Sequence, residues 1–296
     1  MTTALRPLST GELLDRTFSL YRSHFGLFVG IFALPYLVVL AYQLLGLVFQ
    51  SRMSQTAAAF MSAVWGIGAL LLVFIVSSAS QAATVVAVSN LHLDRAASVL
   101  GSFSTVRGQF VGVVFLSLLI DFVVALVCGV LLVPGFVLMA VNPFLGLTAF
   151  LFIVPGIILF LMWSLAVPAK VVEHKGIFDS MSRSMELTKG SRGRIFIIML
   201  LMLVLVLAIT WLLQAPILIG AGFGFKAGIQ RLAIGWQVAA LVAEFISRSL
   251  VGAWATIALS LIYYDQRVRK EAFDLQLMMT TIDAATLPAS PAQVGA

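Results

Sequence analysis

The stretch from Phe110 to Val133 reads FVGVVFLSLLIDFVVALVCGVLLV, and it decides the class of protein to which this chain belongs. Asp121 is its one charged residue. A helix needs about 20 predominantly apolar residues to cross a hydrocarbon core about 30 Å thick. A backbone in lipid must satisfy its own hydrogen bonds, so we expect such a segment to be helical. The stretch therefore predicts a transmembrane helix.

Five further stretches of the same kind occur along the chain. They are Phe25–Phe49, Ala58–Asn90, Phe144–Val167, Ile195–Gly220 and Trp236–Tyr264. Hydrophobic residues make up 61% of the chain and charged residues 10%, whereas a soluble domain is about 25% charged. We predict an all-α polytopic membrane protein with a six-helix transmembrane domain in residues 25–264. Residues 1–24 are predicted to form a cytoplasmic helix, and residues 265–296 a cytoplasmic tail that is disordered towards its end.

Basic residues divide unevenly between alternate loops, which predicts the orientation of the chain. Fourteen of the 18 Lys and Arg residues lie at the N-terminus or after the second, fourth and sixth stretches. Three lie in the opposite loops, and Arg248 lies within the sixth stretch. Cytoplasmic loops carry the excess of Lys and Arg, so both termini are predicted to be cytoplasmic. We therefore interpret the net charge of +6 as a topology signal, with membrane lipids as partners and no nucleic acid.

Three cytoplasmic segments have the spacing of amphipathic helices. Ser9–His24 begins with a capping box, in which Ser9 caps a backbone amide and Glu12 reaches back to the Ser9 amide. Ile177–Thr188 carries an apolar stripe, and a weaker copy spans Asp94–Phe103. Each segment precedes an odd-numbered stretch, so we predict interfacial helices and consider a threefold quasi-repeat of helix plus hairpin. The alternative is that hairpins of similar length occur in any six-helix protein.

Pro155 lies within the fourth stretch, about ten residues from its start and so close to mid-bilayer at a rise of about 1.5 Å per residue. Proline removes a backbone donor and clashes with the preceding turn of a helix. We therefore predict that Pro155 kinks the fourth transmembrane helix. Such a kink serves either packing alone or a site.

Three ionisable residues lie within the predicted transmembrane helices, namely Asp121, Glu244 and Arg248. Charges in hydrocarbon are costly, so such residues are the first candidates for a functional site. Glu244 and Arg248 are four residues apart, in the favourable order for a pair on one helix. A bond between Asp121 and Arg248 is an alternative, since their depths differ by about one turn. Helical side chains lean towards their N-terminus, however, which tilts these two apart.

Three cytoplasmic motifs together resemble a known family. The motifs are LSTGELLDR at 8–16, FDSMSRSMELTKG at 178–190 and YYDQRVRKEAFD at 263–274. They resemble the bacterial glycerophosphoryl diester phosphodiesterase membrane-domain family, and the resemblance covers almost the whole chain. It implies a six-helix membrane domain in the bacterial plasma (inner) membrane. Some members have a neighbouring soluble phosphodiesterase domain, for which we expect no counterpart in these residues, so the resemblance implies no reaction.

The last of these motifs predicts a cytoplasmic clamp. Its bases lie where an anionic leaflet attracts each Lys or Arg by about 1 kcal/mol. Its acids, Asp265 and Glu271, are expected to pair with Arg183 or Arg192. The candidate clamp residues are Arg183, Arg192, Asp265, Arg267, Arg269 and Glu271. A surface that docks a protein partner is the alternative.

Motifs of known enzymes are absent from the sequence, which has no HExxH, no GxSxG and no phosphate-binding glycine loop. His24, His92 and His174 all lie at predicted cytoplasmic edges, where solvated side chains are a simpler interpretation than metal ligands. We therefore predict no catalytic residue, no metal and no cofactor.

The sequence favours a non-enzymatic membrane protein of the cell envelope that acts as a scaffold or lipid-interacting module. The alternative is a transporter of a small solute or lipid precursor, with a mid-membrane site near Asp121, Pro155 and Arg248. A buried polar cavity at mid-bilayer would favour transport. A dry interior packed with Leu and Val would favour the scaffold.

The predicted topology can be tested with a reporter enzyme that is active only in the periplasm. Fused after Asp274, the reporter should be silent, because the basic residues hold that end in the cytoplasm. The same reporter fused after Arg52, in a predicted outer loop, should be active and is the control. Activity of the C-terminal fusion would contradict the predicted orientation.

Overall fold

The computed structural model of the chain describes residues 9–50, 52–141, 153–226, 230–271 and 279. Within these residues the regular structure is helical, with no strand. The helices are α1 (Thr10–Ser23), α2 (Phe25–Gln50), α3 (Gln55–His92), α4 (Val99–Val106), α5 (Phe110–Val141), α6 (Val154–Trp163), α7 (Ala166–Glu173), α8 (Ile177–Thr188), α9 (Arg192–Lys226) and α10 (Gln230–Glu271). The predicted end of the tail and the beginning of the predicted fourth stretch lie outside the described residues.

Six described segments are long and apolar enough to cross a membrane, which confirms the predicted all-α polytopic class. They are Phe25–Gln50, Phe60–His92, Val99–Pro134, Val154–Glu173, Arg192–Gly220 and Ile234–Glu271. Large apolar side chains face outwards along them; Val111, for example, is 77% exposed and Leu212 is 73% exposed. An apolar surface of this extent is unsuited to water and is the surface that lipid covers.

Helix α10 is the central element of the bundle. It runs for 42 residues and contacts α1, α2, α3, α7, α8 and α9. Ala253, Ile257 and Tyr263 along it are fully buried. Gly252 lies so close to the ring of Phe32 that an added Cβ would overlap that ring. Small residues of this kind let transmembrane helices approach closely.

The predicted amphipathic segments are helical, and each one precedes a hairpin of longer helices. In α1 the capping box is present: the Glu12 amide donates to Ser9 Oγ at 3.2 Å, and the Ser9 amide donates to Glu12 Oε2 at 2.7 Å. Helix α8 spans Ile177–Thr188, as predicted. The same order of short helix and hairpin therefore occurs three times, beginning at α1, α4 and α8.

The second amphipathic helix begins later than the sequence pattern predicted. Helix α4 spans Val99–Val106, not Asp94–Phe103. Ser98 is its N-cap, and the Ser98 hydroxyl accepts the Gly101 amide at 3.1 Å. A serine in this position satisfies one of the open amides of the first turn, so the cap sets where the helix begins.

Helix α1 is buried more deeply than a helix that only rests on lipid. Leu13 and Thr17 are fully buried. The Tyr21 hydroxyl donates to the Leu250 carbonyl of α10 at 2.5 Å. The rings of Tyr21 and Trp254 meet edge to face at 5.7 Å between centroids. Helix α1 is thus packed against the bundle through α10.

The fourth span consists of two helices, α6 and α7, separated at Ser164 and Leu165. Pro168 explains the break, because its ring clashes with the carbonyl four residues earlier, which is that of Ser164. Pro155 lies instead in the first turn of α6, where proline is tolerated. The predicted kink at Pro155 stays a prediction, because the residues just before 153 lie outside the described ones. The break within the described part of the span lies nine residues after Pro155, at Ser164.

Helix α8 supplies hydrogen bonds to the backbone groups that the break leaves open. The Ser184 hydroxyl accepts the Leu165 amide at 3.1 Å and donates to the Met162 carbonyl at 2.8 Å. Thr188 Oγ1 also donates to the Met162 carbonyl, at 3.4 Å. Ser184 and Thr188 are fully buried. An unsatisfied backbone group in lipid costs several kcal/mol, so α8 is a structural part of the membrane domain.

Replacing Ser184 by alanine should destabilise the fold by about 1–3 kcal/mol, because a buried amide and a buried carbonyl lose their partner. Ser182 lies on the same helix but is exposed, so Ser182→Ala is the matched control. Its effect should stay within about 0.5 kcal/mol. Unfolding of both variants in detergent micelles measures the difference, and equal losses would contradict the assigned role of Ser184.

Candidate functional site

A cavity of about 320 Å³ lies inside the bundle, and all six spans contribute to its wall. Cavities of this size are typical of small-molecule sites. The wall is mixed, with apolar side chains such as Phe32 and Ile120 between polar ones. The main polar side chains are those of Tyr36, Gln81, Ser117, Asp121, Trp163 and Arg248.

The structure brings Asp121 and Arg248 to the same cavity. No ion pair joins them, although both lie in the described part of the chain. Arg248 instead pairs with Glu244 along α10, with Nη2 3.5 Å from Oε1, as the sequence predicted for this order of residues. Asp121 forms no hydrogen bond or ion pair with any described residue. The cavity wall therefore includes two exposed charged residues. Asp121 has no partner among the described residues, and Arg248 interacts with Glu244 and with the Tyr36 hydroxyl.

Two hydrogen-bond donors in the cavity wall also lack partners. Ser117 Oγ and Trp163 Nε1 are buried, and neither is bonded to a described residue. Buried polar groups are normally satisfied, so each exception requires an explanation. Water or a bound molecule with acceptor atoms would satisfy both. Sequence analysis missed these neutral residues. It also passed over the polar run SSASQ at 77–81 within the second span, which was a visible signal of polar groups inside the membrane domain.

The break in the fourth span opens onto the cavity. Ser164 at the break and Pro168 in the first turns of α7 both belong to the wall. Interrupted transmembrane helices form binding sites in many transporters, because free backbone groups and helix ends point at the ligand. Pro155, which the sequence placed near the site, is not among the residues of the wall.

A second cavity of about 550 Å³ adjoins the first between α9 and α10. Arg248, Gly252 and Ala255 belong to the walls of both. Arg248 therefore stands at the junction of the two cavities, with Glu244 beside it in the second.

Beneath the bundle, Asp265 is the centre of a buried ion-pair group. Its side chain is 0% exposed and bonds through Oδ2 to Arg194 Nη1 at 2.6 Å and to Arg269 Nε at 2.9 Å. The partner on α9 is Arg194 and not the predicted Arg192. Arg192 Nε is instead buried without a partner among the described residues. Which of the two arginines faces Asp265 is set by the rotation of α9 about its axis.

A second ion-pair group joins α7, α8 and α10. Arg183 bonds to Glu271, as predicted, and its Nε lies 3.1 Å from Glu173 Oε1. Glu271 also accepts from Arg267 Nε at 3.2 Å, and the Tyr263 hydroxyl donates to Glu173 Oε1 at 2.6 Å. Burial alone would lower the pKa of Arg183, but the two carboxylates outweigh burial and raise that pKa. Arg183 therefore stays charged at any physiological pH.

Lys270, one of the bases expected at the leaflet surface, is exposed and bonds to the protein. Its Nζ donates to the carbonyls of Glu186 and Lys189 at 2.6 and 2.7 Å. A cation at the carbonyl end of a helix satisfies open acceptors and complements the helix dipole. We refer to the groups around Asp265 and Arg183, together with Lys270, as the ion-pair layer.

In the part of the chain that the structure describes, no group of three or more His, Cys, Asp or Glu side chains could hold a metal ion. His92 stacks on the ring of Tyr264 at 4.7 Å between centroids, and the Tyr264 hydroxyl donates to Ser89 Oγ at 2.8 Å. These contacts give the second tyrosine of the YYDQRVRKEAFD motif a packing role.

No protein-family model matches the chain, and neither a curated protein nor a solved structure matches it. The resemblance to the glycerophosphoryl diester phosphodiesterase membrane-domain family therefore stays a prediction.

Replacing Asp265 by asparagine should destabilise the fold by about 2–3 kcal/mol. Breaking a buried pair leaves a charge without its partner, and the cost is at the low end because Arg194 and Arg269 are partly exposed. Asp15 of α1 is exposed, so Asp15→Asn is the control and should change little. Thermal unfolding in detergent compares the two variants; a loss for Asp265→Asn no larger than that for Asp15→Asn would be inconsistent with a buried ion-pair centre.

Proposed function

We propose that the chain is a non-enzymatic membrane transport protein that binds a small polar or amphipathic molecule in the central cavity. The observation that carries this proposal is the cavity of mixed polar and apolar lining to which all six spans contribute. A scaffold needs a dry, close-packed interior, whereas the wall of this cavity includes Asp121, Arg248 and two buried donors without a partner among the described residues. Charged groups in a membrane are costly to keep, and a ligand that uses them explains their presence.

The cavity offers complementary groups for a ligand with separated charges. The Arg248 guanidinium can bind an anionic group through two parallel N–H donors. Asp121 supplies acceptor oxygens for an ammonium or hydroxyl group. Ser117 and Trp163 supply further donors. This set binds and orients a molecule and includes no nucleophile activated by a base, which supports transport over catalysis.

The ion-pair layer, on the side of the membrane that we propose to be cytoplasmic, provides a gate in this proposal. Helix α7 contributes Val167 and Pro168 to the cavity wall and ends at Glu173, which bonds to Arg183. Movement of α7 away from α8 would break that bond and open the cavity towards the cytoplasm. Gates in transporters use this kind of two-state contact between packed elements.

A scaffold or lipid-interacting module of the cell envelope is the second candidate. The ion-pair layer favours it, because the layer fixes α7, α8 and α10 into one ordered cytoplasmic surface. For either function the proposed location is the bacterial inner membrane with both termini in the cytoplasm, supported by the distribution of Lys and Arg.

Cysteine labelling tests whether the cavity is open to water. In a Cys128→Ser background, Ser117→Cys places a thiol in the cavity, and Leu118→Cys places one on the neighbouring outward face. A membrane-impermeant methanethiosulfonate reagent should label Ser117→Cys from at least one side of the membrane, because thiolates form where water has access. It should leave Leu118→Cys, in lipid, unlabelled.

A scaffold with a sealed interior gives no labelling at either position. Absence of labelling at Ser117→Cys from both sides, in protein that is folded by size-exclusion chromatography, would sink the transport proposal.

A further inference from the structure

The cavity between α9 and α10 is a groove in the side of the bundle. Among the described residues, its walls come from these two helices, and we take its open side to face the surrounding membrane. Leu207, one of its wall residues, is 46% exposed. The neighbouring Trp211 and Leu203 of α9 are 61% and 53% exposed and lie on the lipid-covered surface. A molecule in this groove is therefore in contact with lipid on one side.

The groove changes from apolar to polar along its length. Val206, Leu207 and Val251 offer apolar contacts, while Glu244, Ser247 and Arg248 are polar. Ser247 is 2% exposed, and its Oγ has no hydrogen-bond partner among the described residues. A buried hydroxyl without a partner in the wall of an unfilled groove points to an occupant that offers an acceptor atom.

The polar end of the groove leads into the central cavity at Arg248. Arg248 contacts Glu244 through Nη2 at 3.5 Å and also interacts with the Tyr36 hydroxyl, which leaves the remaining N–H groups of its fork for a phosphate. Asp121 lies in the same central cavity with no protein partner, and its carboxylate attracts a cation and repels a second anion. The two residues together suit a head group that carries a phosphate and an ammonium.

We propose that the groove and the central cavity bind one molecule, a zwitterionic phospholipid with a primary ammonium group. The phosphate lies against Arg248, the ammonium donates to Asp121, and an acyl chain lies in the groove between α9 and α10. A soluble ion needs no apolar groove open to lipid, whereas a lipid that reaches the cavity from the bilayer needs such a path for its chain. The inference rests on the proposed binding function of the central cavity and names its ligand class.

A photoreactive lipid tests the path of the chain. The full-length protein is placed in phosphatidylcholine vesicles that contain a small fraction of phosphatidylethanolamine with a diazirine in one acyl chain. After illumination, cross-links should concentrate on the α9 and α10 peptides that line the groove. Leu207→Trp, which fills the groove, should reduce them several-fold. Leu203→Trp changes an equally exposed leucine one turn away and should leave them unchanged.

The head group is tested by competition. Unlabelled phosphatidylethanolamine should reduce cross-linking more than phosphatidylglycerol does, and soluble phosphoethanolamine should not compete because it has no chain. In Asp121→Asn, which keeps the side-chain shape, the two lipids should compete equally. Arg248→Gln should weaken binding of both.

Cross-links spread evenly over the lipid-facing surface, or equal loss in Leu207→Trp and Leu203→Trp, would overturn the proposed path. Equal competition by phosphatidylglycerol in the unmodified protein would overturn the head-group assignment. If the thiol at Ser117→Cys is labelled from water while either of these results is found, the transport proposal stands and the lipid inference fails. If that thiol is unlabelled, the transport proposal itself fails.

Discussion

A helix that breaks inside a membrane must have its open backbone groups bonded by something other than water, and the rest of this structure depends on how that is done. Pro168 breaks the fourth span at Ser164, and Ser184 of α8 bonds to both sides of the break. The break in turn gives the central cavity part of its wall. Helix α8 is thus needed for the integrity of a site within the membrane domain, because the described side chains that bond to those two backbone groups, Ser184 and Thr188, both belong to it.

The same helix links the cavity to the ion-pair layer. Helix α7 is only eight residues long, with cavity residues at one end and Glu173 at the other. Arg183 of α8 bonds to Glu173 and to Glu271 at the end of α10. Because these carboxylates and the guanidinium are only partly exposed, their attraction is screened less than that of a surface pair. A continuous set of contacts therefore runs from the ion-pair layer to the break in the fourth span.

The polar side chains around the cavity are costly to keep in a membrane, and their use by a ligand is what offsets that cost in the proposed function. Two charged side chains and several hydroxyls in a membrane interior reduce stability unless they are bonded. Glu244 and Arg248 pair with each other, whereas Asp121, Ser117 and Trp163 have no partner in the part of the chain that the structure describes. Functional sites are where polar groups are expected to remain unsatisfied by the protein, since their partners arrive with the ligand.

The sequence by itself determined the features that depend on local spacing. Hydropathy located six spans, because each must match the thickness of the bilayer. The capping box at Ser9 and Glu12 and the pair of Glu244 with Arg248 followed from residues three or four apart on one helix. The motif after the sixth span also indicated a basic partner for Glu271, and Arg183 of α8 is that partner.

Only the tertiary structure decided which sides of the apolar helices face inwards. Spans that are apolar all round carry no stripe to orient them, so packing alone sets their rotation. Residues two positions apart on a helix, such as Arg192 and Arg194, point in directions about 200° apart. The rotation of α9 about its axis therefore makes Arg194, and not Arg192, the partner of Asp265. Packing also turns Gln81, Ser117 and Trp163 towards one another from three different spans, which no pattern along a single helix contains.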